Sequence, residues 1–334
     1  MPTHDMSTIV HVAGRDEALR HAVEDLKLGQ WRAAQELLGD VSSHGWAVYT
    51  VRTQVMGLVA AGSRAVDAWC EEEPDDPHAL VMRARVLAQR ALNAHRAGAG
   101  VDAVSAAMHT VWGACADVSA RWPACPVPWL CRLSLAQLDS DARFPYAMTH
   151  WAASNDPMLP PGPWPLLREV NRRDCGNREA YHLTLAVFKA RARGALDFAL
   201  ITADAASQGS ALRVLPLYQH VETYRLRSRH GHEAALSLFW KQPDTVRAID
   251  HALNGWFAHH TDPAATCSLL DLNYLAYALT ETSPEWSQGA ADVFEAIGPY
   301  ATPAPWKHVS HSDRPWLIDF ESARRRARSA GRRR

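Results

Sequence analysis

Glu179 and His182 stand three residues apart in a stretch of helical periodicity, so both side chains project from one face. Glu-x-x-His is the spacing by which one helix of a di-iron bundle presents two ligands. Such a centre needs a second Glu-x-x-His and further carboxylates, and the sequence holds no second copy. The expectation is therefore a helix start: Asn177 caps, Glu179 meets the positive helix end, and His182 hydrogen-bonds a neighbouring helix. Farther along, Tyr218, His220, Glu222 and Tyr224 alternate through another helical stretch. Residues two apart point to different sides, so His220 or Glu222 can face inward, but not easily both. His259 and His260 follow Trp256 and Phe257, yet adjacent helical residues diverge by about 100° and do not readily share an ion. A mononuclear site drawn from His182, His220 and His259 is the one metal arrangement left open; the expectation is no metal and no cofactor.

Asp271 interrupts an otherwise apolar helix in Asp271-Leu272-Asn273-Tyr274 and is the acid expected to be buried. A buried carboxylate needs a partner, with Arg178 or Arg225 as candidates, or its pKa rises. Structural pairing is expected there, with proton transfer as the alternative. Trp256, Asn273 and Tyr274 complete the candidate lining of a ligand groove formed by these residues.

Signatures of nucleophilic and nucleotide chemistry are missing. The sequence has no Gly-x-Ser-x-Gly, no Gly-x-x-x-x-Gly-Lys-Ser/Thr, no Gly-x-Gly-x-x-Gly and no His-Glu-x-x-His. Six scattered cysteines form no Cys-x-x-Cys pair and read as reduced, buried thiols. Thirteen tryptophans are many for this length, and several flank prolines, as in Trp122-Pro123, Pro128-Trp129 and Pro163-Trp164-Pro165. Each is expected to anchor a loop; the alternative is an aromatic-lined groove for a peptide or hydrophobic small molecule.

The elements that must carry these residues are helices. Apolar residues recur at Leu19, Ala22, Val23 and Leu26, and the same stripe returns in Trp31–Leu38, Trp46–Ala60, Ser63–Cys70, Pro77–Ala94 and Val101–Ala120. Short glycine and proline breaks between such segments imply antiparallel hairpins. Later helices are expected over Asn177–Arg191, Gly194–Ala206, Leu212–His230, His232–Phe239, Thr245–His259, Ser268–Thr280 and Glu285–Ile297. Five prolines between Pro157 and Pro165 make an extended connector.

The 334 residues are 47% hydrophobic and 21% charged, with a formal net charge of −1. That is too apolar for a disordered chain. No run approaches the ~20 apolar residues of a membrane span. Asp5, Arg15, Asp16 and Glu17 occupy the region where a signal peptide has its apolar core, so a cytoplasmic chain is expected. Near-neutrality is a cancellation, because residues 324–334 hold seven arginines and no acid. That tail is expected to be frayed and solubilising; nucleic acid is not the expected partner, and Arg324 to Arg334 is the one place where it could bind.

The junction Glu71-Glu72-Glu73-Pro74-Asp75-Asp76-Pro77-His78-Ala79-Leu80, followed by Ala84 and Leu87, resembles the join between tetratricopeptide repeats. Asp76 is the expected N-cap and Pro77 the first helical residue. Over residues 165–310, Asn177-Arg178-Glu179-Ala180-Tyr181-His182, Leu270–Leu279 and Val293–Gly298 resemble a bacterial helical-repeat family of unknown function. Tyr181 stands where the family pattern has a histidine, and Arg191-Ala192-Arg193-Gly194 where it has a Trp-Gly-Gly-Ser turn. These resemblances imply an α-superhelix and bring no activity.

The expected fold is all-α: antiparallel helical hairpins stacked into a tetratricopeptide-like α-superhelix. Hairpins are expected over 1–154, the connector over 155–168, a continuing helical region over 169–323, and a disordered tail over 324–334. The expected function is a non-catalytic scaffold holding a peptide or partner protein in its concave groove. The alternative is a tailoring or biosynthetic enzyme, with or without a metal, whose helices enclose a His/Asp-lined pocket for a small molecule.

Overall fold

The computed structural model describes residues 8–39, 41–138, 150–229, 236, 238–309 and 315–331. Its regular structure is helical, and among the described residues two isolated bridges, Ile9 with Tyr300 and Ala152 with Gly162, are the only β-type pairings. The chain forms two compact units: Asp16–Ala195, and Met1–Arg15 joined with Leu196–Arg334. The division falls at Ala195, beyond the proline-rich connector expected over 155–168. That stretch is held instead: Ala152 and Gly162 exchange backbone hydrogen bonds, and a helix begins at Trp164, earlier than the expected 169. Pro163 and Pro165 permit this start, since the first turn of a helix needs no amide donors.

Unit 16–195 is built from α1 (Glu17–Lys27), α2 (Arg32–Gly39), α3 (Val41–Ala60), α4 (Ala65–Glu72), α5 (Pro77–Arg96), α6 (Val101–Arg121), α7 (Val127–Leu135), α8 (Trp164–Arg173) and α9 (Arg178–Ala190). α5 is the central element, packing on α3, α6, α7 and α4. The α4–α5 junction forms as its sequence implies. Asp76 caps α5 by accepting from the His78 amide at 2.8 Å, and its other oxygen accepts from Trp69 Nε1 at 3.0 Å and Gln35 Nε2 at 2.7 Å. Trp69 stacks on Trp31 with centroids 5.4 Å apart, tying α4 to the start of α2. Gly57 lets α3 approach α5 closely, because a Cβ there would lie 2.8 Å from Arg85 Cβ.

The second unit contains most of α10 (Ala195–Ala205), then α11 (Leu215–Arg229), α12 (Pro243–Leu253), α13 (Leu269–Glu281), α14 (Ser287–Ile297) and α15 (Trp316–Gly331). α13 is buried along Asp271–Leu279, and Trp256, Phe294, Trp306 and Phe320 fill the core around it. Residues 8–15 belong to this unit: Ile9 pairs with the backbone of Pro299 and Ala301, and Arg15 donates to the Ala264 and Ala296 carbonyls. The helix expected over His232–Phe239 lies largely outside the described residues, and Phe239–Lys241 forms a 3-10 turn. The arginine tail expected to be disordered continues α15 to Gly331. Phe320, Ala323 and Ala327 repeat at helical spacing and are buried, which supplies the apolar stripe that the run of arginines obscures. Arg332 to Arg334 lie outside the described residues.

Candidate functional site

In unit 16–195, Glu179 does not stand free at a helix end. Its carboxylate is 6% exposed and meets the Arg85 guanidinium, 7% exposed, through both oxygens, at 2.5 and 2.7 Å. Arg85 Nη2 also donates to the Thr50 carbonyl at 3.3 Å, so one cation joins α3, α5 and α9. Burial works against the Arg85 charge, but the carboxylate of Glu179 more than offsets it, and the pKa is raised. Asn177 caps α9 as expected, accepting from the Ala180 amide at 3.0 Å. His182 lies one turn along and is half-buried. Arg85 gave a usable signal: it occupies an inward position on α5, in register with Val81, Ala88 and Leu92.

Chemistry that the sequence reading did not single out lies beside this pair. Cys115, Cys125 and Cys131 are free, buried thiols. Cys131 hydrogen-bonds Cys115, and that contact, with the charges of Arg85 and Arg132, lowers its pKa against the opposing effect of burial. Burial pushes the Cys125 thiol up to about 12. Next to them, Arg132 lies against the rings of Trp112 and Trp129, 4.6 and 4.7 Å from their centroids, while Arg173 lies 4.8 Å from Trp129. His150 packs against Trp112 with the rings tilted by 31° and their centroids 4.6 Å apart, and burial with the Arg132 charge brings its pKa down to about 4. These residues come from separate segments with no shared spacing, so no sequence motif announces them.

The remaining candidates belong to the other unit. Tyr218 donates to Asp271 Oδ1 at 2.6 Å and stacks on Tyr274 with centroids 3.7 Å apart. Asp271 is fully buried as expected, but Arg225 is not the partner: its Nε donates to Glu222 Oε2 at 3.2 Å on the same helix. Asp271 sits in the first turn of α13 beside its cap Ser268, where the helix dipole favours negative charge. Asn273 is equally buried; its Oδ1 accepts from Trp306 Nε1 at 3.0 Å and its Nδ2 donates to the Leu269 carbonyl at 2.8 Å.

His220 faces inward and Glu222 is half-buried, the division their spacing implies. His220 is 5% exposed, with Nε2 lacking a hydrogen-bond partner and its ring 6.2 Å from Phe239. Burial lowers its pKa to about 4, against the opposing charge of Asp244. Trp256 is buried, whereas His259 is exposed. The adjacent His260 is the one fastened down, by the Gly209 carbonyl at 3.1 Å and Thr266 Oγ1 at 2.9 Å. Among the described residues no three His, Cys, Asp or Glu side chains form a group able to hold a metal ion.

Comparison of the chain with family models, with curated proteins and with solved structures found no match. The described residues are all-α. No helix among the described residues is long and apolar enough to cross a membrane.

Proposed function

We propose that this chain is a non-catalytic, tetratricopeptide-like scaffold that holds a peptide or partner protein. The observation that carries this reading is the fate of the chemistry-bearing residues. Glu179 is committed to Arg85, Glu222 to Arg225, Asp271 to Tyr218, and Asn273 to Trp306 and Leu269. Buried polar groups engaged in this way join helices and specify how they pack. The hairpin unit also turns an apolar row outward. Val51 is 47% exposed and Leu58 51% exposed on α3, with half-buried Val55 between them at i, i+4, i+7 spacing. A partner's apolar side chains would lie along that row, with flanking polar residues fixing register.

The test is selection of peptides on the purified full chain, followed by calorimetry on the enriched ligands. Binding weakened at least about tenfold by Val51→Asp with Leu58→Asp, roughly 1.4 kcal/mol, supports the reading. Circular dichroism of the double variant must match the parent. Metal analysis and native mass spectrometry of the same sample supply the opposing outcome: one ion or one co-purified small molecule per chain would overturn it. The enzymatic alternative draws on one group, His220, whose buried Nε2 is held neutral without a hydrogen-bond partner. A retained small molecule that His220→Phe releases would favour that alternative.

A further inference from the structure

α15 turns an apolar stripe inward and a cationic face outward. Phe320, Ala323 and Ala327 are buried, and the helix packs along α14. Arg324 faces inward with them and is satisfied, donating to Glu321 Oε2 at 2.7 Å and to the Gly298 carbonyl at 3.2 Å. Arg325, Arg326 and Arg328 are exposed. Among the described residues their only hydrogen bond is from Arg325 to the Ser322 hydroxyl at 3.4 Å, a neutral partner. Glu321, the last acid in the sequence, already accepts from Arg324 and from Thr8. Residues 322–334 then hold seven arginines and no acid.

Two features set this face apart from an ordinary solvated charge run. Anchoring through Phe320, Ala323 and Ala327 fixes the spacing of the cations, so a ligand need not order a loose tail before binding it. Like charges one turn apart, as at Arg325 and Arg328, also repel each other, and a polyanion removes that cost. Complementing the negative end of a helix dipole needs only a cation or two in the last turn. The guanidinium is always charged, and its fork of donors matches phosphate oxygens in two-point contacts. Duplex DNA offers one phosphate charge per ~1.7 Å of axis, a regular rail for such a row. Residues 321–331 contain no aromatic side chain on which an unpaired base could stack, which disfavours single strands. We propose that the outward arginine face of α15 binds the phosphate backbone of duplex DNA without reading its sequence.

The test is fluorescence anisotropy of the full chain with a mixed-sequence duplex of about 20 base pairs at ~50 and ~200 mM salt. If the three exposed arginines neutralise three phosphates, affinity falls about 40-fold between those conditions. R325Q/R326Q/R328Q should abolish most of that salt dependence, while R325K/R326K/R328K keeps it. The lysine variant separates lost charge from a lost helix. Replacing Arg227, Arg229 and Arg247, exposed on other helices of the same unit, by glutamine should change affinity less than about twofold. No anisotropy change at ~50 mM salt, or an equal loss in that control variant, would overturn the proposal. Tighter binding to polyglutamate, to phosphatidylserine vesicles or to single-stranded RNA than to the duplex would overturn it too.

Discussion

Arg85 and Glu179 are both nearly excluded from water and satisfy each other through two hydrogen bonds. The pair need not be a large net stabiliser, since two charges lose hydration on burial, but breaking it leaves one charge stranded. Glu179→Gln is expected to destabilise unit 16–195 by about 3–5 kcal/mol in urea unfolding. The double change Arg85→Met with Glu179→Leu should recover most of that loss; failure to recover would mean that the pair is needed for more than mutual neutralisation. His220 makes the opposite case, a buried group kept uncharged. Its folded pKa of about 4 lies below the ordinary 6.5, so the unfolded chain binds the proton more readily. The stability tied to this residue is full above about pH 6.5 and is lost as pH falls toward about 4, on the order of 3 kcal/mol. His150 runs in the same direction, down to about 4. His220→Phe should flatten the stability profile between pH 6.5 and 4, measured by urea unfolding at a series of pH values. An unchanged slope would count against a neutral, buried imidazole.

At the scale of elements, legibility followed how local the cause was. The α4–α5 junction was readable because Asp76, Pro77 and their helix starts are neighbours in sequence, and capping is a local interaction. Its reach was not readable: Asp76 also accepts from Gln35 and Trp69, on α2 and α4. Asp76→Ala is therefore expected to cost more than a simple cap, which is typically about 1 kcal/mol, because it leaves the Trp69 indole donor unpaired in the core. Thermal unfolding beside Asp76→Asn, which retains the cap oxygen, measures the difference. α15 shows the converse. Its arginines suggested a frayed end, yet Phe320, Ala323 and Ala327 carry enough periodicity to fold it against α14. Asp271 is buried as its place in an apolar helix implies, and Tyr218, which donates to it, stands fifty-three residues away, where spacing arguments have no hold.

For the whole molecule, chain continuity and spatial compactness disagree. Unit 16–195 is one uninterrupted stretch, whereas the other unit needs residues from both ends of the sequence. Nothing in hydrophobic periodicity reports such a closure, since residues 8–15 contribute through backbone pairing and a few side chains. Ile9 bonds the backbone of Pro299 and Ala301, Thr8 meets Glu321 and Arg324, and Arg15 reaches the Ala264 and Ala296 carbonyls. The first two fix the approach to α14 and α15; the third satisfies carbonyls that would otherwise lack partners. A fragment spanning residues 16–195 is thus expected to fold alone, with a cooperative thermal transition and native near-ultraviolet dichroism. A fragment spanning residues 196–334 lacks those bonds and should melt at a lower temperature and more broadly. Joining residues 1–15 to the end of that fragment through a flexible linker should restore the transition, because linking raises the segment's effective concentration into the millimolar range. Recovery that survives Arg15→Ala and Thr8→Ala together would show that the side-chain contacts contribute little, leaving the Ile9 pairing as the part that closes the unit.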